Sequence, residues 1–199
     1  MEEWKDIELF SAIKGGDKKA LSVLFLRHYD FLKHYGLRIS PSPEVVEECV
    51  QELFLYIFEA HDRLGDVKQL KAYLFSSLRR RILEKLSKER KQKDAGLELP
   101  VLTAIQFSAD DLRMQEASQQ HIQEALTQAL NELPWRQREA IYLRYYNGLR
   151  TKEIAEIMGV ANQTILNTLY QALKKIRKNK QLKKFFGITS SLLVILGLS

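Results

Sequence analysis

No stretch of this chain alternates apolar and polar residues for long enough to make a convincing strand, whereas apolar side chains recur at three- and four-residue spacing along most of it. That pattern confines the fold class to all-α. The punctuation agrees: four prolines and nine glycines in 199 residues are too few for a many-stranded sandwich, which uses turn residues about every 8–12 positions. A first helix is expected over roughly 4–14, stopped by Gly15-Gly16. Asp17 suits the N-cap of a second, running to about 38 through Leu21, Leu24, Phe25 and Leu32. Pro41 and Pro43 break it and pre-set a third helix over about 43–60. There Val46, Cys49, Val50, Leu53, Phe54, Ile57 and Phe58 make one broad apolar face, and Glu44, Glu47, Glu48, Gln51, Glu52 and Glu59 fall largely elsewhere. A fourth helix, about 68–93, begins apolar and ends basic.

Residues 94–107 (DAGLELPVLTAIQF) lack a helical period and hold Gly96 and Pro100, so they are expected to link two small helical domains. The second domain is expected to open with a helix from Ser108 to Glu132 and to restart at Pro134 with a helix ending near Tyr146. Asn147-Gly148 is a turn signal. Thr151 is expected to cap a short helix to Met158, closed by Gly159, and a long helix should follow over 162–184. The organisation expected is therefore 1–94 as one helical domain, 95–107 as linker, 108–184 as a second domain, and 185–199 as an apolar tail.

Charge is distributed in opposed blocks. The net charge of +6 divides into +2 over residues 1–95, −3 over 96–120 and +7 over 121–184. RRRILEKLSKERKQK (79–93) has eight basic and two acidic residues, and KKIRKNKQLKK (174–184) has seven basic and none acidic. A single run of this kind describes a solvated helix face. Two runs, each following an apolar-periodic helix, fit an extended polyanion touched twice.

Other chemistries leave no trace. One cysteine, Cys49, excludes an internal disulfide framework and any multi-cysteine metal site, and fits a reducing compartment. The acidic start MEEWKDIELF lacks the basic end and apolar run of a signal peptide, so a cytoplasmic protein is expected. His28, His34, His61 and His121 are scattered, and no P-loop, GxGxxG, HExxH or GxSxG is present, so neither a catalytic residue, a metal nor a cofactor is assigned.

The segment TKEIAEIMGVANQTILNTLYQALKKIRK (151–178) has the form of a helix-turn-helix. The short helix should bury Ile154, Ala155, Ile157 and Met158; Gly159 can supply positive φ for the tight turn, and Val160 should fill the corner. At 100° per residue, Ile165, Leu169, Ala172, Leu173 and Ile176 share about 100° of arc on the second helix. The opposite stripe reads Gln163, Asn167, Tyr170, Gln171, Lys174, Lys178. Amide side chains suit adenine edges in a major groove, and the lysines beyond suit phosphates. Two packed helices with a polar outer face would show the same pattern.

Three stretches in order make residues 8–178 resemble an extracytoplasmic-function (ECF) sigma factor of bacterial RNA polymerase. EECVQELFLYIF (47–58) resembles the family's helix that grips the polymerase clamp; LKAYLFSSLRRRILEKLSKER (70–90) resembles the helix that melts and reads the minus-ten element. LNELPWRQREAIYLRYYNGLRTKEIAEIMGVANQTILNTLYQALKKIR (130–177) resembles the domain that binds the minus-thirty-five element. The resemblance implies that Glu47, Glu48, Gln51 and Glu52 meet core RNA polymerase. It implies promoter DNA contacts from Tyr73, Arg79, Arg80, Arg81, Lys85, Lys88 and Arg90 at the minus-ten element, where Arg81, Lys85 and Lys88 share a face by their spacing. It implies minus-thirty-five contacts from Arg150, Thr151, Lys152, Gln163, Thr164, Asn167, Tyr170, Gln171, Lys174 and Lys178. An anti-sigma factor is implied as a further partner. Tyr73 and Phe75 stand where the family places aromatics that can stack on an unpaired base, and both also suit a core, Phe75 the more so.

The chain departs from the family's pattern in places. Arg80 stands where the family commonly has Asn, Ala161 where a Ser or Thr often caps the recognition helix, and Leu166 and Gln171 where basic residues are frequent. The recognition helix is thus less basic at its start, which favours A·T pairs. The tail FFGITSSLLVILGLS (185–199) would reach about 22 Å as a helix, short of a ~30 Å hydrocarbon core. Packing on this protein or a partner, a frayed end, and membrane contact all remain open for it. The rival to a sigma factor is a stand-alone helix-turn-helix transcriptional regulator, which has no need of an acidic polymerase-binding face.

Overall fold

The computed structural model describes residues 4–65, 67, 69–92, 107, 120–180 and 182. Among the described residues there are eight α-helices and no strand. The chain divides near residue 103 into two compact units, α1–α4 belonging to the first and α5, α6 and α8 to the second.

In the first unit, α1 (Asp6–Lys14) starts two residues later than expected, because the Glu8 carboxylate accepts the Lys5 N–H at 2.7 Å and fixes the helix entry there. Gly16, at φ +86°, turns the chain, and Asp17 caps α2 (Lys18–Ile39) by accepting from the N–H groups of Lys19 and Ala20 at 2.8 and 3.2 Å. The break at Pro41-Pro43 behaves likewise: Ser42 Oγ accepts the Val45 N–H at 3.3 Å and Pro43 occupies the first turn of α3 (Pro43–Glu59). The long helix α4 (Leu70–Gln92) follows.

Burial falls where the apolar period put it. Val46, Cys49, Val50, Leu53, Phe54 and Ile57 of α3 are buried, and Phe58 is half-buried at the edge. Tyr35 of α2 and Phe75 of α4 are fully buried with ring centroids 5.0 Å apart, so Phe75 is a core residue. Gly36 of α2 lies where three helices come close together: a Cβ there would collide with Val46 of α3 and come within 3.2 Å of Ile82 of α4. His28 is buried beneath α1, its Nε2 2.9 Å from the Asp6 carboxylate that also binds Arg27.

The second unit holds α5 (Gln120–Asn131), α6 (Trp135–Ile141) and α8 (Asn162–Lys178), together with α7 (Thr151–Met158) as far as Ala155. The expected helix start at Ser108 lies outside the described residues, as do 95–106 of the expected linker. Phe107 is described, and it is anchored rather than loose. Its N–H donates to Asn131 Oδ1 at 2.8 Å and its carbonyl accepts from Asn131 Nδ2 at 3.0 Å. Its ring joins Tyr142 and Tyr146, which stack at 5.4 Å. Those two tyrosines belong to a π-helical turn, Tyr142–Tyr146, which replaces the last turn of the helix expected to reach Tyr146. Asn147 closes the wider turn, its N–H reaching the Tyr142 carbonyl at 3.3 Å.

Two expectations at helix ends are corrected. Thr151 does not cap α7; Arg150 holds the N-cap position, and its N–H donates to the Glu153 carboxylate at 2.6 Å, so an acid in the first turn does the capping. The long helix expected over 162–184 is broken at Asn179, which turns extended (ψ 125°) and accepts the Leu182 N–H on its Oδ1, with helical backbone again at Lys180 and Leu182. The tail 185–199 lies outside the described residues.

Candidate protein and nucleic-acid interfaces

The acidic residues expected to bind polymerase sit on the outer side of α3, and they are not equivalent. Gln51 and Glu52 are exposed. Glu47 accepts from Lys33 Nζ at 2.6 Å, and this bond raises the lysine above its ordinary pKa. Glu48 is ion-paired with Lys85 of α4, which is likewise raised. The stripe continues into apolar side chains that the sequence reading passed over: Leu55 is 55% exposed and Tyr56 47%. Their spacing was the available signal, since 48, 52, 55, 56 and 59 recur at helical intervals on one face. The outer side of α3 is therefore acidic at its start and apolar further on. Beneath it, burial pushes the Cys49 thiol up to about 11, so this cysteine is packing and not chemistry.

On α4 the basic residues separate into two groups. Arg81 lies with its guanidinium 5.1 Å from the Tyr56 ring centroid and its Nη1 3.5 Å from the Ser77 carbonyl; Lys85 lies on Glu48. Both are turned along α3. Arg80 and Lys88 are exposed, Arg79 is half-buried, and the side chain of Arg90 lies outside those described. Tyr73 is half-buried, edge-on to Phe10 at 6.3 Å, and burial raises its hydroxyl above the ordinary tyrosine value.

Between α7 and α8 the chain makes the tight glycine turn that a helix-turn-helix needs. Gly159 adopts the left-handed conformation, φ +66° and ψ 40°, where only glycine is free of strain, and the Val160 N–H reaches the Ala155 carbonyl at 3.0 Å. Ile154, Ala155 and Ile157 are buried while Met158 is only half-buried. On α8, Ile165, Leu169, Ala172 and Ile176 are buried and Leu173 is half-buried. Gln163, Thr164, Asn167, Tyr170, Gln171, Lys174 and Lys178 are all exposed, as are Arg150 and Lys152 at the start of α7, with Thr151 half-buried. Gln163 Nε2 donates to Asn167 Oδ1 at 3.2 Å, and the Lys174 ammonium sits 5.9 Å from the Tyr170 ring centroid. Ala161 offers no side-chain cap and Asn162 does not replace it: its Oδ1 is buried without a hydrogen-bond partner. Leu166, one turn from Gln163, is 42% exposed on the same outer face.

Among the described residues no three His, Cys, Asp or Glu side chains converge as metal ligands, and no helix is long and apolar enough to cross a membrane.

Comparison with known proteins fits this division into two. Residues 24–92 match the family model for Sigma-70 region 2, and residues 123–176 that for Sigma-70, region 4, together well over half of the chain. The ECF RNA polymerase sigma factor SigL of Mycobacterium tuberculosis is 25% identical over 172 residues, which are 86% of this chain and 94% of that one. RNA polymerase sigma factor SigV of Bacillus subtilis is 28% identical over 131 residues, 65% of this chain and 72% of that one. Among solved structures, the sigma factor RpoE in complex with the anti-sigma factor NepR from Bartonella quintana shares the fold, with a TM-score of 0.58 at 24% identity, covering 83% of this chain and 98% of that one.

Proposed function

The chain belongs to the sigma-70 family of RNA polymerase sigma factors, in its ECF branch, and from that premise we propose that it binds core RNA polymerase through α3 and places two promoter elements on its two helical domains. The first domain, residues 1–94, takes the polymerase and the minus-ten element; the second, 108–184, takes the minus-thirty-five element. The observation that carries this reading is the pairing of two exposed surfaces of different chemistry. The outer side of α3 offers carboxylates followed by Leu55 and Tyr56, which suits a basic protein surface with an apolar centre. The outer side of α8 offers amides and lysines, which suits a DNA groove. A stand-alone regulator would have a use for the second and none for the first.

The division of labour follows from side-chain chemistry. Glu47, Glu48 and Glu52 attract the polymerase electrostatically, Gln51 offers it an amide hydrogen bond, and the exposed apolar pair beyond them supplies the desolvated contact. Arg79, Arg80, Lys88 and Arg90 neutralise phosphates near the minus-ten element, with Arg81 and Lys85 as reserves now held against α3. Tyr73 is positioned at the half-buried edge of α4 where a ring can take an unstacked base. Arg150, Thr151 and Lys152 contact the backbone, Gln163, Thr164, Asn167, Tyr170 and Gln171 face bases, and Lys174 and Lys178 meet phosphates. The polymerase supplies the chemistry of chain growth, so this chain acts without a catalytic residue, in the cytoplasm where polymerase works. An anti-sigma factor, a partner that the similar RpoE structure contains, is proposed as the regulator that covers these surfaces.

Holoenzyme assembly tests the polymerase half of the proposal. Mixed with purified core polymerase, the full chain should co-elute as a one-to-one complex, and Glu52→Lys should weaken that complex without altering the helical content of the free chain. Failure of the wild-type chain to co-elute at low salt would contradict it.

A further inference from the structure

The large apolar side chains of α8 lie inward, with two exceptions, Leu166 at 42% exposure and Tyr170 at 61%. Tyr170 is amphipathic and carries Lys174 near its ring. Leu166 has no such explanation: it is wholly apolar and stands beside Asn167 and one turn after Gln163. It lies in the first half of the helix, the part whose side chains reach base edges when the second helix of a helix-turn-helix enters the major groove.

Base edges in that groove present hydrogen-bond donors and acceptors, with one apolar substituent among them, the C5-methyl group of thymine. The neighbouring amides point to the same kind of sequence. The bond from Gln163 Nε2 to Asn167 Oδ1 orients the Gln163 amide and leaves it one acceptor oxygen and one N–H, the pair that adenine takes through N6 and N7. A leucine beside such an amide is suited to the methyl group of a thymine at an adjacent step. We infer that Leu166 is a specificity-determining residue that reads a thymine methyl group in the minus-thirty-five element. The inference rests on the sigma-factor reading above, because it takes α8 as the helix that enters the groove. A leucine cannot serve a phosphate, so what Leu166 offers DNA is discrimination at one base pair and not affinity that any sequence would enjoy.

Uracil differs from thymine only by that methyl group, which makes the test direct. Holoenzyme assembled from the full chain and cognate core polymerase is used to enrich minus-thirty-five elements from a pool of promoter duplexes randomised there. The enriched duplex is then remade with deoxyuridine in place of each thymine in turn, on either strand. At one thymine the replacement should weaken binding by about fourfold, the worth of one buried methyl-sized group. That loss should disappear in Leu166→Ala, whose binding is already weakened by a similar factor, and persist in Leu166→Met. Because residue 166 is exposed, both variants should keep the wild-type melting temperature. If every uracil duplex binds as well as its thymine parent, or if the loss is the same in Leu166→Ala, the inference is overturned while the sigma-factor reading stands. If the holoenzyme assembles but enriches no element, the sigma-factor reading falls and this inference with it.

Discussion

Lys85 of α4 is ion-paired with Glu48 of α3, so a residue proposed for promoter DNA and one proposed for polymerase hold each other across the first unit. The pair is partly open to solvent, and an open pair contributes little to folding: a double-mutant cycle with Glu48→Gln and Lys85→Met, read by urea unfolding of the free chain, should give a coupling below about 1 kcal/mol. A coupling of several kcal/mol would make the pair a structural clamp and remove Lys85 from the DNA-binding set.

Leu55 should matter more to polymerase than to folding. Its side chain is more than half exposed, so Leu55→Ala should leave stability within about 0.5 kcal/mol of wild type. Loss of a desolvated apolar contact at the centre of an interface should weaken competition for core polymerase by roughly tenfold. Unchanged competition would confine the interface to the carboxylates.

Stability should fall on the acid side of neutrality through His28. Burial lowers its pKa below the ordinary value near 6.5, against the opposing pull of Asp6. The unfolded chain therefore takes up this proton first as pH drops. The contribution is fully present above about pH 6.5 and is lost as pH falls from there through the lower, folded-state pKa. Asp6→Asn removes the opposing pull, so it should depress the histidine further and steepen the loss, as seen by urea unfolding at several pH values and by imidazole chemical shifts. A His28→Gln variant with the same acid slope as wild type would contradict this origin.

The start of α8 is under-capped. Ala161 has the extended backbone of an N-cap, φ −68° and ψ 148°, with no side-chain oxygen to offer. Ala161→Ser should stabilise the second unit by about 1 kcal/mol, measured as a rise in its unfolding midpoint. No rise would mean that the first-turn N–H groups already have other partners.

These features differ in how far the sequence disclosed them, and the reason is range. Asp17, Pro43 and Gly159 act on their own neighbours, and their roles were readable from two or three adjacent letters. The inner faces of α3 and α8 were readable too, because burial follows the helical period. The basic run on α4 announced its charge but not its direction: Arg81 and Lys85 turn along α3 because Tyr56 and Glu48, 25 and 37 residues earlier, wait there. Long-range partners also explain Phe107, which the sequence assigns to a linker and Asn131 fastens to α5. Leu55 and Tyr56 were hidden for a different reason. Apolar letters on an otherwise apolar helix read as core unless their angle is followed, and the exposed angle is what makes them candidates for an interface.

Run-off transcription on fragmented genomic DNA tests the central claim most directly. Core polymerase with this chain should yield transcripts with a small set of defined 5′ ends that core polymerase alone does not produce, each preceded by two recurring sequence elements at a fixed spacing. Transcripts without defined starts, or the same starts in the absence of the chain, would contradict the account.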